Sequence, residues 1–178
     1  MSDNAYEIGK YPPVNQDQFL ALRANAIQAY ANLEMSLTIL FANLLGIPID
    51  IAGLVLFRIT NTHARNRILS DLHSKKQGTK YDLFWNSLLS FIRALDQRRN
   101  EIVHWHVVNT VNLALDHKDA ARLSLAPPTG WATQSPASIA EKELQDFIRR
   151  CEFASRLINM FGGCFIIPQS LLKNANHG

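Results

Sequence analysis

Apolar residues recur every three or four positions along most of the chain, a pattern that predicts long amphipathic helices. The first such segment runs from about Asp17 to Leu45, and Gly46 and Pro48 follow it in the order typical of a helix C-terminus. Three further segments show the same period. They span about Ile51 to His73, Tyr81 to His104 and Ile139 to Phe161.

Polar residues at the ends of these segments support the predicted boundaries. Asp50 is placed to cap the second helix, and Ser74 to Thr79 is typical of a loop. Ser138 and Glu141 fit the Ser-x-x-Glu pattern of a capping box, which would open the last helix.

The period changes between the third and fourth helices. Residues 105–115 are rich in Val, Thr and Asn, residues 116–119 are turn-like, and residues 122–126 alternate again before Pro127. This pattern predicts a β-hairpin at about 105–126. The expected fold class is therefore all-α: a four-long-helix up-and-down bundle with a β-hairpin inserted between the third and fourth helices.

The expected organisation is an irregular N-terminal arm (1–14), one bundle domain (15–165) and a tail (166–178). With 47% apolar and 19% charged residues, the composition indicates a globular chain rather than a disordered one. The stretch from Ile47 to Ile59 is too short to span a bilayer, and residues 1–13 lack a secretory pattern. Cys151 and Cys164 form neither a disulfide framework nor a metal-type pair, so we expect a cytoplasmic protein.

Charge is distributed unevenly. Between Arg58 and Arg99 there are nine Lys/Arg against three Asp, a net +6, while the rest of the chain carries −3. The basic excess therefore leads into the end of the third predicted helix. Two interpretations remain open: a solvated helix face, or a surface for a polyanion.

The most informative residues are Arg99, Asn100 and His104 near the end of that helix. Asn100 and His104 are four apart and share one face, and Arg99 lies about 140° further round. Arginine binds phosphate oxygens in a fork, and histidine transfers protons near neutral pH. These residue types together are what metal-free phosphodiester cleavage requires.

An Arg-Asn-x-x-x-His motif late in a helix of an all-helical bundle resembles the HEPN superfamily (higher eukaryotes and prokaryotes nucleotide-binding domain). The resemblance rests on Arg99, Asn100 and His104 and would cover about residues 15–165. It implies an HEPN-like bundle and a metal-independent endoribonuclease of toxin or antiviral-defence type, which leaves a 2′,3′-cyclic phosphate. Arg99 would contact phosphate, and His104 would act as acid or base. Asn100 would orient the phosphate or the imidazole.

The resemblance also implies an RNA substrate, a second copy of the chain, and an antitoxin or regulatory protein as partners. The wide apolar arc of the first predicted helix independently favours a homodimer. No membrane partner and no cofactor are expected. Some HEPN toxins carry a modified Tyr two residues after the His, but His106 stands there in this chain. Other members lack activity. The competing hypothesis is thus a non-catalytic helical dimer that binds RNA, nucleotide or a protein.

Arg98, Trp105 and His106 flank the motif and are candidate substrate-binding residues. Trp105 either stacks on a base or anchors the hairpin. For the motif itself the structural alternatives are a macrodipole contact for His104, an ion pair with Asp96 or Glu101 for Arg99, and a backbone hydrogen bond for Asn100.

Two side chains outside the motif also carry expectations. Glu34 sits in an otherwise uncharged run, and we expect it to meet a cation, such as an arginine of the motif. His63 with His104 and His106 lacks a carboxylate or thiolate at a suitable spacing, so no metal site is expected.

Overall fold

The computed structural model describes residues 15–59, 61–111, 121–128 and 137–163. Within these residues the chain is mostly helical and carries a small antiparallel sheet, as the all-α expectation with an inserted hairpin requires. The helices are α1 (Gln16–Leu45), α2 (Ile49–Arg58), α3 (Thr62–Gln77), α4 (Asp82–His104) and α5 (Glu141–Gly163). The strands are β1 (His106–Val111), β2 (Ala121–Ala126) and β3 (Ile139–Ala140). The predicted arm (1–14) and tail (166–178) lie outside the described residues.

The first predicted helix is confirmed as α1. Asn15 starts it, because its side-chain Oδ1 accepts a hydrogen bond from the backbone N–H of Gln18 at 3.0 Å. Gly46 ends it in the left-handed region, with φ of +69° and its N–H 2.8 Å from the carbonyl of Ala42. A residue with a side chain would be strained there, which explains the glycine.

The prediction of a single second helix from Ile51 to His73 is wrong, and with it the count of four. Two helices, α2 and α3, occupy this stretch within the described residues. The backbone leaves the helix at Ile59, with φ −88° and ψ 92°, and Asn61 starts the next one by accepting from the N–H of Ala64 at 3.1 Å. A capping side chain at Asn61 satisfies an amide that a continuous helix would have bonded internally.

The boundaries around this pair also differ from expectation. Asp50 lies in the first turn of α2 and does not cap it, since Pro48 precedes the helix without a side-chain cap. The predicted loop from Ser74 is helical as far as Gln77, and Gly78, with φ of +60°, ends α3.

The third helix and the hairpin are confirmed as α4, β1 and β2. The strands pair antiparallel from His106 opposite Ala126 to Val111 opposite Ala121. The predicted turn at 116–119 lies outside the described residues. A third strand, β3, completes the sheet by pairing with Ser124 and Leu125 of β2.

The predicted capping box at Ser138 and Glu141 is wrong. Ile139 and Ala140 are strand, and the last helix begins at Glu141. The carboxylate of Glu143 accepts a hydrogen bond from the backbone N–H of Ala140 at 2.8 Å. One half of a capping box therefore operates two residues later than predicted, because Ala140 has no side-chain oxygen that could accept from the N–H of Glu143.

The chain divides into two compact units, and the division falls inside α1, α4 and α5. Among the described residues, unit 1 holds 15–28, 98–111, 121–128 and 137–148. It contains the sheet, the start of α1 and α5 and the end of α4. Its buried apolar residues are Phe19, Ala26, Ile102, Leu125, Ala126, Ile139, Leu144 and Phe147.

Unit 2 comprises residues 29–97 and 149–163 of the described chain, including all of α2 and α3. Its apolar core comes mainly from α1, α4 and α5. The largest buried apolar side chains of this unit are Tyr30, Leu33, Leu37, Leu40, Phe41, Leu44, Leu56, Leu69, Trp85, Leu88, Leu89, Ile92, Leu95, Ile158 and Phe161.

Among the described helices, none alone combines the length and apolar composition needed to cross a bilayer. Within the part of the chain that the structure describes, α1 and α2 taken together, with a 114° bend between them, meet that test by length and composition.

Candidate active site

Arg99, Asn100 and His104 lie in the last turns of α4, within unit 1. Asn100 and His104 are exposed, and Arg99 is half-buried. As expected from helix geometry, Asn100 and His104 share a face, and Arg99 is turned about 140° from His104. The imidazole therefore faces solvent at the helix terminus, where a large substrate can reach it.

A guanidinium from α1 holds the C-terminus of α4 in place. Arg23 donates from Nε to the carbonyl of Ile102 at 2.9 Å, and from Nη2 to those of Val103 at 2.8 Å and Trp105 at 3.1 Å. The last carbonyls of a helix have no internal donor, and they carry the negative end of the macrodipole. The guanidinium of Arg23 donates hydrogen bonds to these carbonyls and places a positive charge at the negative end of the dipole. The backbone that presents His104 is therefore held by a second helix, α1.

Sequence reasoning missed Arg23. A signal was present, because Arg23 follows Phe19 by four positions and precedes Ala26 by three, both of which are buried. A cation on that inner stripe of α1 has to find acceptors. The sequence indicated that need but not the acceptors, which lie about 80 residues away along the chain.

Arg98, a candidate substrate-binding residue, lies between two carboxylates. Its Nη1 is 2.8 Å from Glu101 and its Nη2 is 3.1 Å from Glu143. Glu143 also accepts from the N–H of Ala140, so the three charged groups join the end of α4 to the start of α5 within unit 1. In this arrangement Arg98 supports the site, and its charge is already balanced.

The other flanking candidates follow the motif directly. Trp105 is half-buried at the bend between α4 and β1, and its carbonyl is one of those bound by Arg23. His106 is exposed at the first position of β1. Two accessible imidazoles, His104 and His106, thus stand on either side of a tryptophan whose backbone is fixed.

Glu34 does meet a cation, but not one from the motif as expected. Its carboxylate pairs with Arg65 of α3 at 3.0 Å in unit 2. Nearby, Asp96 accepts from the hydroxyls of Tyr30 at 2.8 Å and Thr62 at 3.3 Å. These contacts join α1, α3 and α4, which indicates a structural role.

The described residues contain no group of three His, Cys, Asp or Glu side chains placed to bind a metal ion. Burial raises the pKa of the Cys151 thiol to about 12, with Arg150 opposing the shift and Glu152 adding to it. A thiol that stays protonated at neutral pH is a poor nucleophile. The side chains of the motif itself are a guanidinium, an amide and an imidazole.

A groove of about 450 Å³ opens elsewhere in unit 1. Its polar and charged lining includes Gln18, Arg122, Glu141 and Lys142, and it does not include the motif. The motif lies outside this groove.

Comparisons with models of known protein families, with curated proteins and with solved structures found no match for this chain.

Proposed function

We propose that this chain is a metal-independent endoribonuclease of the HEPN type, acting in toxin or antiviral-defence systems, and that its helices form the corresponding bundle. The observation that supports it is the placement of Arg99, Asn100 and His104 at the accessible end of α4, with the supporting backbone held by Arg23. An open site suits a polymer substrate better than a metabolite.

The reaction needs no metal because RNA supplies its own nucleophile. A base removes the proton from a 2′-hydroxyl, whose oxygen attacks the adjacent phosphorus and forms the 2′,3′-cyclic phosphate. The bond from phosphorus to the 5′-oxygen breaks, and an acid protonates that oxygen as it leaves. DNA lacks the 2′-hydroxyl and is not a substrate.

His104 from each of two chains divides the roles of base and acid, and such assistance is worth roughly 10²–10⁴ in rate. Arg99 binds the phosphate oxygens through its planar fork and balances the charge of the crowded phosphorus. Asn100, one turn from His104, donates an amide hydrogen bond to the phosphate or orients the imidazole.

The deciding experiment incubates the purified full-length chain with a structured RNA in EDTA. We expect cleavage that leaves 2′,3′-cyclic phosphate ends, and no cleavage of the same sequence as DNA. His104→Ala and Arg99→Ala should each lower the rate by at least about 100-fold.

His63→Ala is the matched control, since His63 is an exposed histidine on α3, outside the motif. It should cleave at the wild-type rate. Equal cleavage by His104→Ala and wild type would assign the activity to a contaminant and end the proposal. RNA binding without cleavage in every variant would favour the non-catalytic binding module instead.

A further inference from the structure

The surface of α2 that faces solvent is apolar. Within this helix only Ala52 and Leu56 are buried. The inner side lies near α1, where a Cβ on Gly53 would be 3.8 Å from the Thr38 side chain. The outer residues Ile51, Leu54, Val55 and Phe57 are all exposed, and Leu54 is the most open of them at 63%.

The spacing of these exposed residues places them on one face of α2. Ile51, Leu54 and Val55 follow the i, i+3, i+4 pattern, and Arg58 continues it at i+7. A contiguous apolar face with polar ends is typical of a surface that packs on another protein.

The charges of α2 are arranged symmetrically about Leu54. Asp50 lies four residues before Leu54 and Arg58 four residues after it, and both are exposed. In an antiparallel pair of α2 helices related by a two-fold axis at Leu54, Asp50 of each copy faces Arg58 of the other. The same operation sets Ile51 opposite Phe57 and Leu54 opposite itself. A two-fold interface requires this kind of self-complementarity.

We propose that α2 is a homodimer interface in which two copies of the helix pack antiparallel about Leu54. The occupant is a second copy of this chain rather than a lipid surface, because the one acid and the one base of α2 match those of a second α2, whereas a membrane-surface helix carries several Lys and Arg on its polar face. The proposal does not depend on the proposed nuclease activity. A ten-residue helix buries less than a standard interface of about 1,600 Å², so we expect a weak dimer whose population depends on protein concentration.

The test is sedimentation equilibrium of the full chain over a concentration series. Wild type should show a monomer–dimer equilibrium, and Leu54→Asp should raise the dissociation constant at least about tenfold by placing two carboxylates at the axis. Leu83→Asp is the matched control. Leu83 is 89% exposed on α4, so this change adds the same charge away from α2 and should leave the equilibrium unchanged.

Charge reversal then tests the orientation. Asp50→Arg and Arg58→Asp should each weaken the dimer, because like charges then face each other at both ends. The double variant should restore it. If the two charges matter only to the dipole of their own helix, the double variant is instead the weakest.

Circular dichroism checks that each variant keeps its helix content. A wild-type chain that stays monomeric throughout the series would overturn the proposal. So would a dimer indifferent to Leu54→Asp, or a double reversal that fails to restore association. Binding of the monomer to phosphatidylserine vesicles, lost in Leu54→Asp, would assign the face to a membrane surface instead.

Discussion

His73 is a fully buried histidine in unit 2 whose ring nitrogens have no hydrogen-bond partner among the described residues. The ring stacks on Trp85 with centroids 5.1 Å apart and an interplanar angle of 19°. Burial lowers the pKa of His73 below its ordinary value of 6.5, and the carboxylate of Asp82 opposes that shift. Burial thus favours the neutral form of this imidazole in the folded chain.

This burial predicts a loss of stability in acid. Between the lowered folded pKa and 6.5 the unfolded chain binds the proton more readily, so the free energy of unfolding falls as pH decreases below 6.5. Urea denaturation at several pH values measures the slope of the free energy of unfolding against pH. His73→Phe, which cannot be protonated, should flatten it, and His63→Phe should not. An unchanged slope in His73→Phe would refute the assignment.

Arg23 is the residue on which the geometry of the motif depends. Arg23→Met keeps the apolar stem but removes the donors to the carbonyls of Ile102, Val103 and Trp105. We expect a loss of about 2 kcal/mol in the free energy of unfolding, measured by urea denaturation. Arg93→Met, at an exposed position of α4, should stay within about 0.5 kcal/mol of wild type. Equal losses in both would show that Arg23 is not a helix clamp.

At the scale of elements, the sequence predicts long helices well and short interruptions poorly. The predicted ends of α1 and α4 agree with the structure to within one residue, because a stripe of many apolar positions averages out local exceptions. The break at Ile59 was missed because apolar positions continue on both sides of it. The two-residue strand β3 is too short to show a period, and its pairing with β2 is a tertiary effect.

The break between α2 and α3 leads to a testable prediction, because Asn61 caps the N-terminus of α3. Asn61→Ala should lower the free energy of unfolding by about 1 kcal/mol, because the N–H of Ala64 loses its acceptor. Asn61→Asp, which keeps an acceptor oxygen, should lose little. Asn86→Ala, on the exposed surface of α4, should be neutral or slightly stabilising. If Asn61→Ala also proves neutral, another group satisfies this amide.

At the scale of the whole molecule, sequence reasoning found the motif residues but not what surrounds them. The spacing of Arg99, Asn100 and His104 is local and follows from the helix alone. The pairing of Arg98 with Glu143 joins residues 45 positions apart, and sequence spacing does not indicate it. Contacts of this length depend on the fold, so a charged residue next to a motif cannot be assigned to substrate before its partners are known.

The proposed nuclease requires two chains per site, and mixing tests that requirement. If each cleavage uses His104 from both chains, a randomly exchanged equal mixture of wild type and His104→Ala contains about one quarter wild-type pairs, and its rate should be about one quarter of the wild-type rate. Independent sites in each chain would instead give about one half. The control mixture replaces His104→Ala with His63→Ala and should keep the full rate. Differently tagged chains, recovered together on one affinity resin, confirm that exchange has occurred before the rates are compared.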